Sequence, residues 1–252
     1  SARAVPVLGE HDFTTITAGG EDTCALDVNG SAWCWGKNDA GQLGNGNMPN
    51  GSPEPVPVAG DHEFVAIDTG FAAQVWCWGS NNTGQLGNGT SGFDTAVDTP
   101  HAVNNEAGLE AVELAVGGNH ACALDEQGTA HCWGLNGHGQ IGIGPGPDVT
   151  EPTPVGGDLE FVSIATGQNH TCGSDREGES WCFGENASGE LGLEHDNPVD
   201  TPTALPGDHE FDEIVGSDGH FTCGLVGSQA WCWGSNSYGQ IGAGVVGSEF
   251  DE

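Results

Sequence analysis

Trp33-Cys34-Trp35-Gly36 constrains this chain more than any other segment, because it returns at intervals of about fifty residues. The later copies read Trp76-Cys77-Trp78-Gly79, His131-Cys132-Trp133-Gly134, Trp181-Cys182-Phe183-Gly184 and Trp231-Cys232-Trp233-Gly234. All eight tryptophans fall in the two aromatic columns of this segment. A fixed period of this length means one supersecondary unit used five times, so the chain must be read as a repeat architecture.

Each copy carries the same ordered signals. A Pro/Val stretch precedes a polar knot and an apolar run, as in Gly60-Asp61-His62-Glu63-Phe64-Val65-Ala66-Ile67 and Gly157-Asp158-Leu159-Glu160-Phe161-Val162-Ser163-Ile164. A Gly-rich break follows (Gly19-Gly20, Gly117-Gly118, Gly167), then an alternating segment such as Thr23-Cys24-Ala25-Leu26-Asp27, a turn and the Trp-Cys-Trp-Gly segment. Asn-x-x-Gly-Gln-Leu-Gly closes the copy at 38–44 and 81–87, with Ile for Leu at 136–142 and 236–242, and Glu190 for Gln at 186–192. Short runs of period two bounded by Gly, Asn and Pro predict strands, and no sustained 3.6-residue apolar period appears. Four short strands per repeat predict an all-β propeller of four-stranded antiparallel blades, a single domain over residues 1–252.

The cysteines test that expectation. Cys24 and Cys34, Cys122 and Cys132, and Cys172 and Cys182 are each ten residues apart. Pairing them across a hairpin leaves the loops Val28-Asn29-Gly30, Glu126-Gln127-Gly128 and Arg176-Glu177-Gly178, with Gly at the position that needs a left-handed residue. Cys223 and Cys232 are one residue closer, and their loop shortens to Gly227-Ser228, the two-residue solution with Gly first. Four cross-strand disulfides follow, each closing a short loop and stabilising by about 2.5–3 kcal/mol in the chain-entropy account. The alternative is four pairs of free buried thiols; zinc is disfavoured because tight Cys-x-x-Cys spacing is absent. Disulfides imply an oxidising compartment: extracellular, cell-surface or periplasmic.

Copy two breaks the pattern. Gly70 to Trp76 spans six residues where Gly19 to Trp33 spans fourteen, so a strand and its turn are missing and Cys77 is left over. A true deletion would expose a neighbouring strand edge. Residues absent from the sequence are the favoured reading.

The combination Gly-x-x-His-Thr/Ala-Cys, x-Trp-x-Trp-Gly and Asn-x-x-Gly-Gln-Leu-Gly resembles the regulator of chromosome condensation (RCC1-like) repeat family, best at Gly117 to Gly142 and Gly167 to Gly192. The resemblance implies a β-propeller, most often of seven blades. Its members' functions range over nucleotide exchange on a small GTPase with chromatin binding, ultraviolet-B perception in plants and β-lactamase inhibition by a secreted bacterial member, so fold does not fix function. The cysteine pairs depart from the eukaryotic nuclear pattern, the Gly-Trp-Arg-His-Thr motif of the plant photoreceptor is absent, and there are five copies. An extracellular, disulfide-containing bacterial-type member is the expectation.

The last copy stops after Gly242, and Val5-Pro6-Val7-Leu8 with Phe13-Thr14-Thr15-Ile16 would supply its missing strands. On that count the two termini close a five-bladed ring; a fragment of a longer propeller is the alternative.

Charge narrows the partners. Thirty-seven acidic residues face three basic ones, Arg3, Lys37 and Arg176, for a formal net charge of −34. Nucleic acid is disfavoured because no basic stripe exists to displace condensed counterions. No apolar run is long enough for a membrane span, and any export signal or anchor is expected outside this chain. Screening is expected from salt, divalent cations or a basic partner. No cofactor is expected: calcium would suit the carboxylates, yet no Asp-x-Asp-x-Asp-Gly loop occurs.

Recognition is expected on the face carrying the insertions after Gly-Gln-Leu-Gly, which alone differ strongly between copies. They run over 45–52, 88–98, 143–151, 193–200 and 243–252. Met48, Phe93, Val97, Phe250 and, before the motif glycine, Tyr238 are apolar or aromatic there without a core-strand role; His138 is a further candidate. Inward-folded loops without a partner are the alternative. His11, His62 and His209 share a column inside acidic knots, suited to a pH-sensitive or metal-binding rim. His120 and His170 share a blade-packing column with His220 shifted by one residue, and His131 replaces a column tryptophan near His120 and His138.

No nucleophile elbow, phosphate loop or His-Glu-x-x-His occurs. The expected function is therefore non-catalytic: a monomeric secreted or surface scaffold that binds a protein or carbohydrate partner through the variable loops of one face. Alternatives are a structural module of a larger surface protein, a propeller-type enzyme inhibitor, and a lyase or hydrolase using carboxylates in the channel.

Overall fold

The structure, a computed structural model, describes residues 6–18, 21–60, 62, 64, 74–104, 109–207, 209–244 and 246. Among these residues there is no helix. The first sheet runs β1 (Phe13–Ala18), β2 (Asp22–Asp27), β3 (Ala32–Gly36), β4 (Ser52–Pro57), and the second holds β5 (Trp76–Gly79) and β6 (Val97–Ala102). The third runs β7 (Ala111–Val116), β8 (His120–Asp125), β9 (Ala130–Gly134), β10 (Val149–Pro154). The fourth runs β11 (Phe161–Thr166), β12 (His170–Asp175), β13 (Ser180–Gly184), β14 (Val199–Ala204), and the fifth β15 (Glu213–Gly216), β16 (Phe221–Val226), β17 (Gln229–Gly234). All pairings are antiparallel, as expected of propeller blades joined by short turns.

The hairpins form as the turn residues dictate. Cys24 lies opposite Cys34, Cys122 opposite Cys132, Cys172 opposite Cys182 and Cys223 opposite Cys232. All four pairs are bonded, with Cα atoms 4.1 Å apart. That spacing is near the close approach of a non-hydrogen-bonded antiparallel pair. Gly30, Gly128 and Gly178 take φ of +76°, +86° and +85°, and Gly227, first in the two-residue turn, takes +59°. Asp27, Asp125 and Asp175 brace the three longer turns. In each, one carboxylate oxygen accepts two turn amides, such as Asn29 and Ser31 on Asp27.

The core lies between blades. Cys122, Leu124, Ala130, Cys132 and Ile141 of the third blade meet Phe161 and Ile164 of the fourth. Cys172, Cys182 and Leu191 of the fourth meet Phe211, Ile214 and Trp233 of the fifth. Each such large side chain removed from water contributes about 1.5–3 kcal/mol.

The closing motif is a blade coupler. Trp78, Trp133 and Trp233 donate their indole N–H to the carbonyls of Gln42, Gln85 and Glu190 in the preceding copy, each at 3.0 Å. Phe183 has no such donor, so the Gln140 carbonyl takes the Thr171 hydroxyl at 2.9 Å without an indole, where the Glu190 carbonyl takes both the Thr222 hydroxyl and Trp233. The last motif glycine admits the ring: a Cβ on Gly87 or Gly192 would stand 2.9 Å from the next blade's indole nitrogen.

Two expectations need correction. Phe13–Ala18 pairs with β2 of its own copy and does not complete the last blade, whose own Phe211-x-x-Ile214 run supplies β15. The Pro/Val strand instead ends the blade that precedes it, as β4 does with β3. The fifth sheet has three strands among the described residues, and no hydrogen bond there joins Trp35 to Gln240. Val5 and residues 65–73 before Cys77 lie outside the described residues, as does Phe250. Cys77 is a free, half-buried thiol packed beside Val75, Leu109 and Trp133, and burial pushes its pKa up to about 12.

Candidate functional site

The hairpin turns and the polar knots share one face. Gly30 accepts the Phe64 amide and Gly128 the Phe161 amide, both at 2.8 Å. The Asn-x-x-Gly-Gln-Leu-Gly turns and their insertions leave from the other end of the third strand. There the Thr83 hydroxyl reaches the carbonyl of Asn119 in the next copy's glycine break at 3.1 Å.

Each insertion is tied at its base by a buried asparagine. Asn38, Asn81, Asn136 and Asn186 are at most 1 % exposed. Their side-chain oxygens accept the amides of Leu43, Leu86, Ile141 and Leu191. Their amide nitrogens donate to carbonyls inside the insertions, at Asn50, Thr90, Gly144 and His195. The motif Gln then holds the backbone two residues before it. Gln140 accepts the His138 amide at 2.9 Å and Gln240 the Tyr238 amide at 2.8 Å. A fixed base with a free tip results, and the tip side chain points to solvent.

The candidate residues divide accordingly. Tyr238 is 91 %, Phe93 89 % and Met48 43 % exposed, and His138 is exposed. Val97 differs from expectation. It opens β6 opposite Gly79 and is half-buried, so it belongs to the sheet and not to the loop tip. The exposed candidates sit on the first, second, third and fifth copies, so a ligand touching all of them would have to span the face.

The histidines resolve into distinct roles. His11, His62 and His209 lie on the rings of Trp33, Trp76 and Trp231, with centroids 4.3, 4.1 and 4.4 Å apart. Leu159 fills the same column beside Trp181, so this column caps the outer tryptophan. His131 keeps the bond that its tryptophan relatives make. Its Nε2 is 3.2 Å from Asp125, where Trp181 reaches Asp175 at 2.8 Å and Trp33 reaches Asp27 at 3.1 Å. For Asp125, burial opposes ionisation, but the Thr129 and Gln127 amides and His131 outweigh it and lower the pKa.

His120 and His170 are inter-blade struts. His120 Nε2 is 2.9 Å from Thr171, and His170 Nε2 is 3.0 Å from Thr222. Each threonine hydroxyl donates onward, to Gln140 or Glu190, so the imidazole is the donor in each contact. Burial, then the neighbouring histidine, pushes His120 down to about 3 and His170 to about 4. Both are neutral at physiological pH. Gly167 makes room for this strut, because a Cβ there would stand 2.1 Å from His170 Cε1.

Sequence reasoning missed a third grouping. Glu185, Glu190 and His220 converge at the junction of the fourth and fifth copies, with potential ligand atoms within 4.8 Å of one another. The signals were present separately, as Glu190 for Gln and as the one-residue shift of His220. Only the fold brings them together.

Repeated antiparallel blades that hold invariant turn bases and variable tips define a β-propeller built from repeats. Matches to the regulator of chromosome condensation (RCC1) repeat cover residues 29–70, 73–124 and 127–173, and a second form of the same repeat matches 13–42, 111–140 and 161–190. The chain belongs to this repeat family. It is 28 % identical over 163 residues to the human E3 ubiquitin-protein ligase HERC2, covering 62 % of this chain and 3 % of that protein. It is 28 % identical over 145 residues to the ultraviolet-B receptor UVR8 of Arabidopsis thaliana, covering 54 % of this chain and 33 % of the receptor. The chain thus spans a third or less of the length of these two relatives. Among solved structures, human WBSCR16 superposes with a TM-score of 0.80 at 21 % identity, over 96 % of this chain and 66 % of that one. Prp20p of Saccharomyces cerevisiae gives 0.76 at 21 % identity, over 96 % and 62 %.

Proposed function

We propose that this propeller is a non-catalytic scaffold that binds a basic protein through its variable-loop face, in an oxidising compartment outside the cytoplasm. The carrying observation is the exposure of Phe93 and Tyr238 on tips whose bases are fixed by buried Asn and motif Gln. Large aromatics presented on a rigid base are the usual anchors of a protein interface. The formal charge of −34 favours a cationic partner and a fast, salt-sensitive encounter. The yeast neighbour Prp20p is described as binding Gsp1p and histones, which fits a protein ligand for this fold. Four disulfides support the compartment. A catalytic use of carboxylates finds little support: Asp22, raised by burial, and Asp27, lowered by its turn hydrogen bonds against burial, sit at opposite ends of β2.

The test is capture of extracytoplasmic proteins on the immobilised propeller and on a Phe93→Ser/Tyr238→Ser variant. A saturable partner, weakened at least about tenfold by the double change and by raised salt, is expected. Equal binding to both proteins would move the interface off this face.

A further inference from the structure

We infer that Glu185, Glu190 and His220 form a binding site for a zinc-type divalent cation that clamps the fourth blade to the fifth. His220 Nδ1 is 3.4 Å from Glu190 Oε1 and 3.7 Å from Glu185 Oε2. A tetrahedral ion with bonds of about 2.0–2.2 Å sets its ligand atoms roughly 3.3–3.6 Å apart, so the two separations from His220 are already close to the edges of such a polyhedron, and the two carboxylates lie within 4.8 Å of each other. One imidazole with two carboxylates suits zinc or a similar first-row ion. Calcium and magnesium take oxygen-only shells of six or more ligands.

Glu190 supplies an independent observation. Its side chain is fully buried. Oε2 accepts the Ser188 amide at 2.7 Å, the task that Gln42, Gln85, Gln140 and Gln240 perform in the other copies with a neutral amide. Oε1 takes the place of the amide nitrogen; its hydrogen-bond partner among the described residues is His220, at 3.4 Å, and the Glu185 carboxylate lies within 4.8 Å. A buried carboxylate oxygen with one long contact is poorly compensated, and a dication would supply the missing partner.

The other two donors depart from the repeat at the same junction. Glu185 stands where the other copies have Lys37, Ser80, Leu135 and Ser235. Asn169 donates to its Oε2 at 2.8 Å, orienting the carboxylate toward the junction. His220 occupies the column of Asn119 and Asn169, with a left-handed backbone at φ +57°. The side chains of His220 and Glu185 are 37 % and 19 % exposed, leaving a route for the ion and room for water as a fourth ligand.

Zinc titration of chelator-stripped, disulfide-intact protein tests the site, with Cys77→Ser as the background in every sample to remove the free thiol. One stoichiometric zinc is expected, competed by a chromophoric chelator and raising the unfolding temperature. Glu190→Gln restores the repeat's own residue and should fold, yet lose zinc affinity by about a hundredfold or more; His220→Asn should do the same. Calcium and magnesium should not compete at equal concentration. Zinc affinity unchanged in both variants, or no saturable zinc in the parent, would overturn the proposal.

Discussion

Ile16, Leu114, Ile164 and Ile214 hold the same place on the innermost strand of four copies, yet their surroundings differ sharply. Ile164 and Ile214 are 4 % and 3 % exposed, whereas Ile16 and Leu114 are 61 % and 42 % exposed. The buried pair each follow a blade with a complete disulfide hairpin, and pack on Cys122–Cys132 or Cys172–Cys182. Leu114 follows the copy whose sequence lacks the strand that would pair Cys77. An inner strand is therefore buried by the blade before it, and its own repeat sequence does not decide its burial. Stability in such an array is a sum of blade terms and nearest-neighbour junctions.

The largest separation should come from truncating that column. Ile164→Ala should cost about 3 kcal/mol in equilibrium denaturation, and Ile16→Ala about 0.5 kcal/mol or less. Equal costs would break the comparison. Next, a Cys172→Ala/Cys182→Ala variant loses about 2.7 kcal/mol of loop entropy in the chain-entropy account, and with it the packing under Ile214. Hydrogen exchange should then rise in β15 as well as in β12 and β13, while β2 and β3 stay protected.

The smallest effect is a pH dependence at the two strutted junctions. His170, held near 4 in the fold and near 6.5 when unfolded, binds its proton in the unfolded chain first. Its contribution is complete above about pH 6.5 and is lost as pH falls toward 4. His120 acts in the same sense, down to about 3. The difference in unfolding free energy between the parent and His170→Gln should therefore shrink between pH 7 and 5. A constant difference would remove the titration from the account. Measuring the difference cancels the relief of acidic self-repulsion that both proteins share.

Much of this was legible in the chain. Cysteine spacing with Gly30, Gly128, Gly178 and Gly227 determines the hairpins, and period and motif indicate the blades. A repeat has no unique beginning, however, so the sequence pattern did not reveal whether the Pro/Val strand opens one blade or ends another. Val97 read as a loop residue because strand β6 carries Pro100 and no alternation. The bond from His131 to Asp125 and the meeting of Glu185, Glu190 and His220 depend on contacts across strands and blades, which motif spacing does not encode. The base of the candidate face was visible as a motif; its use of buried Asn as a tether was not.

All four disulfides stay within one hairpin, closing separations of nine or ten residues, and none crosses from one blade to the next. Under tension applied at its ends, such a chain would part at the junctions and pay out blade by blade. Each bridge would withhold roughly 30 Å of contour length from the extension. Force spectroscopy would then record a sawtooth whose steps lengthen by that amount once reductant is added.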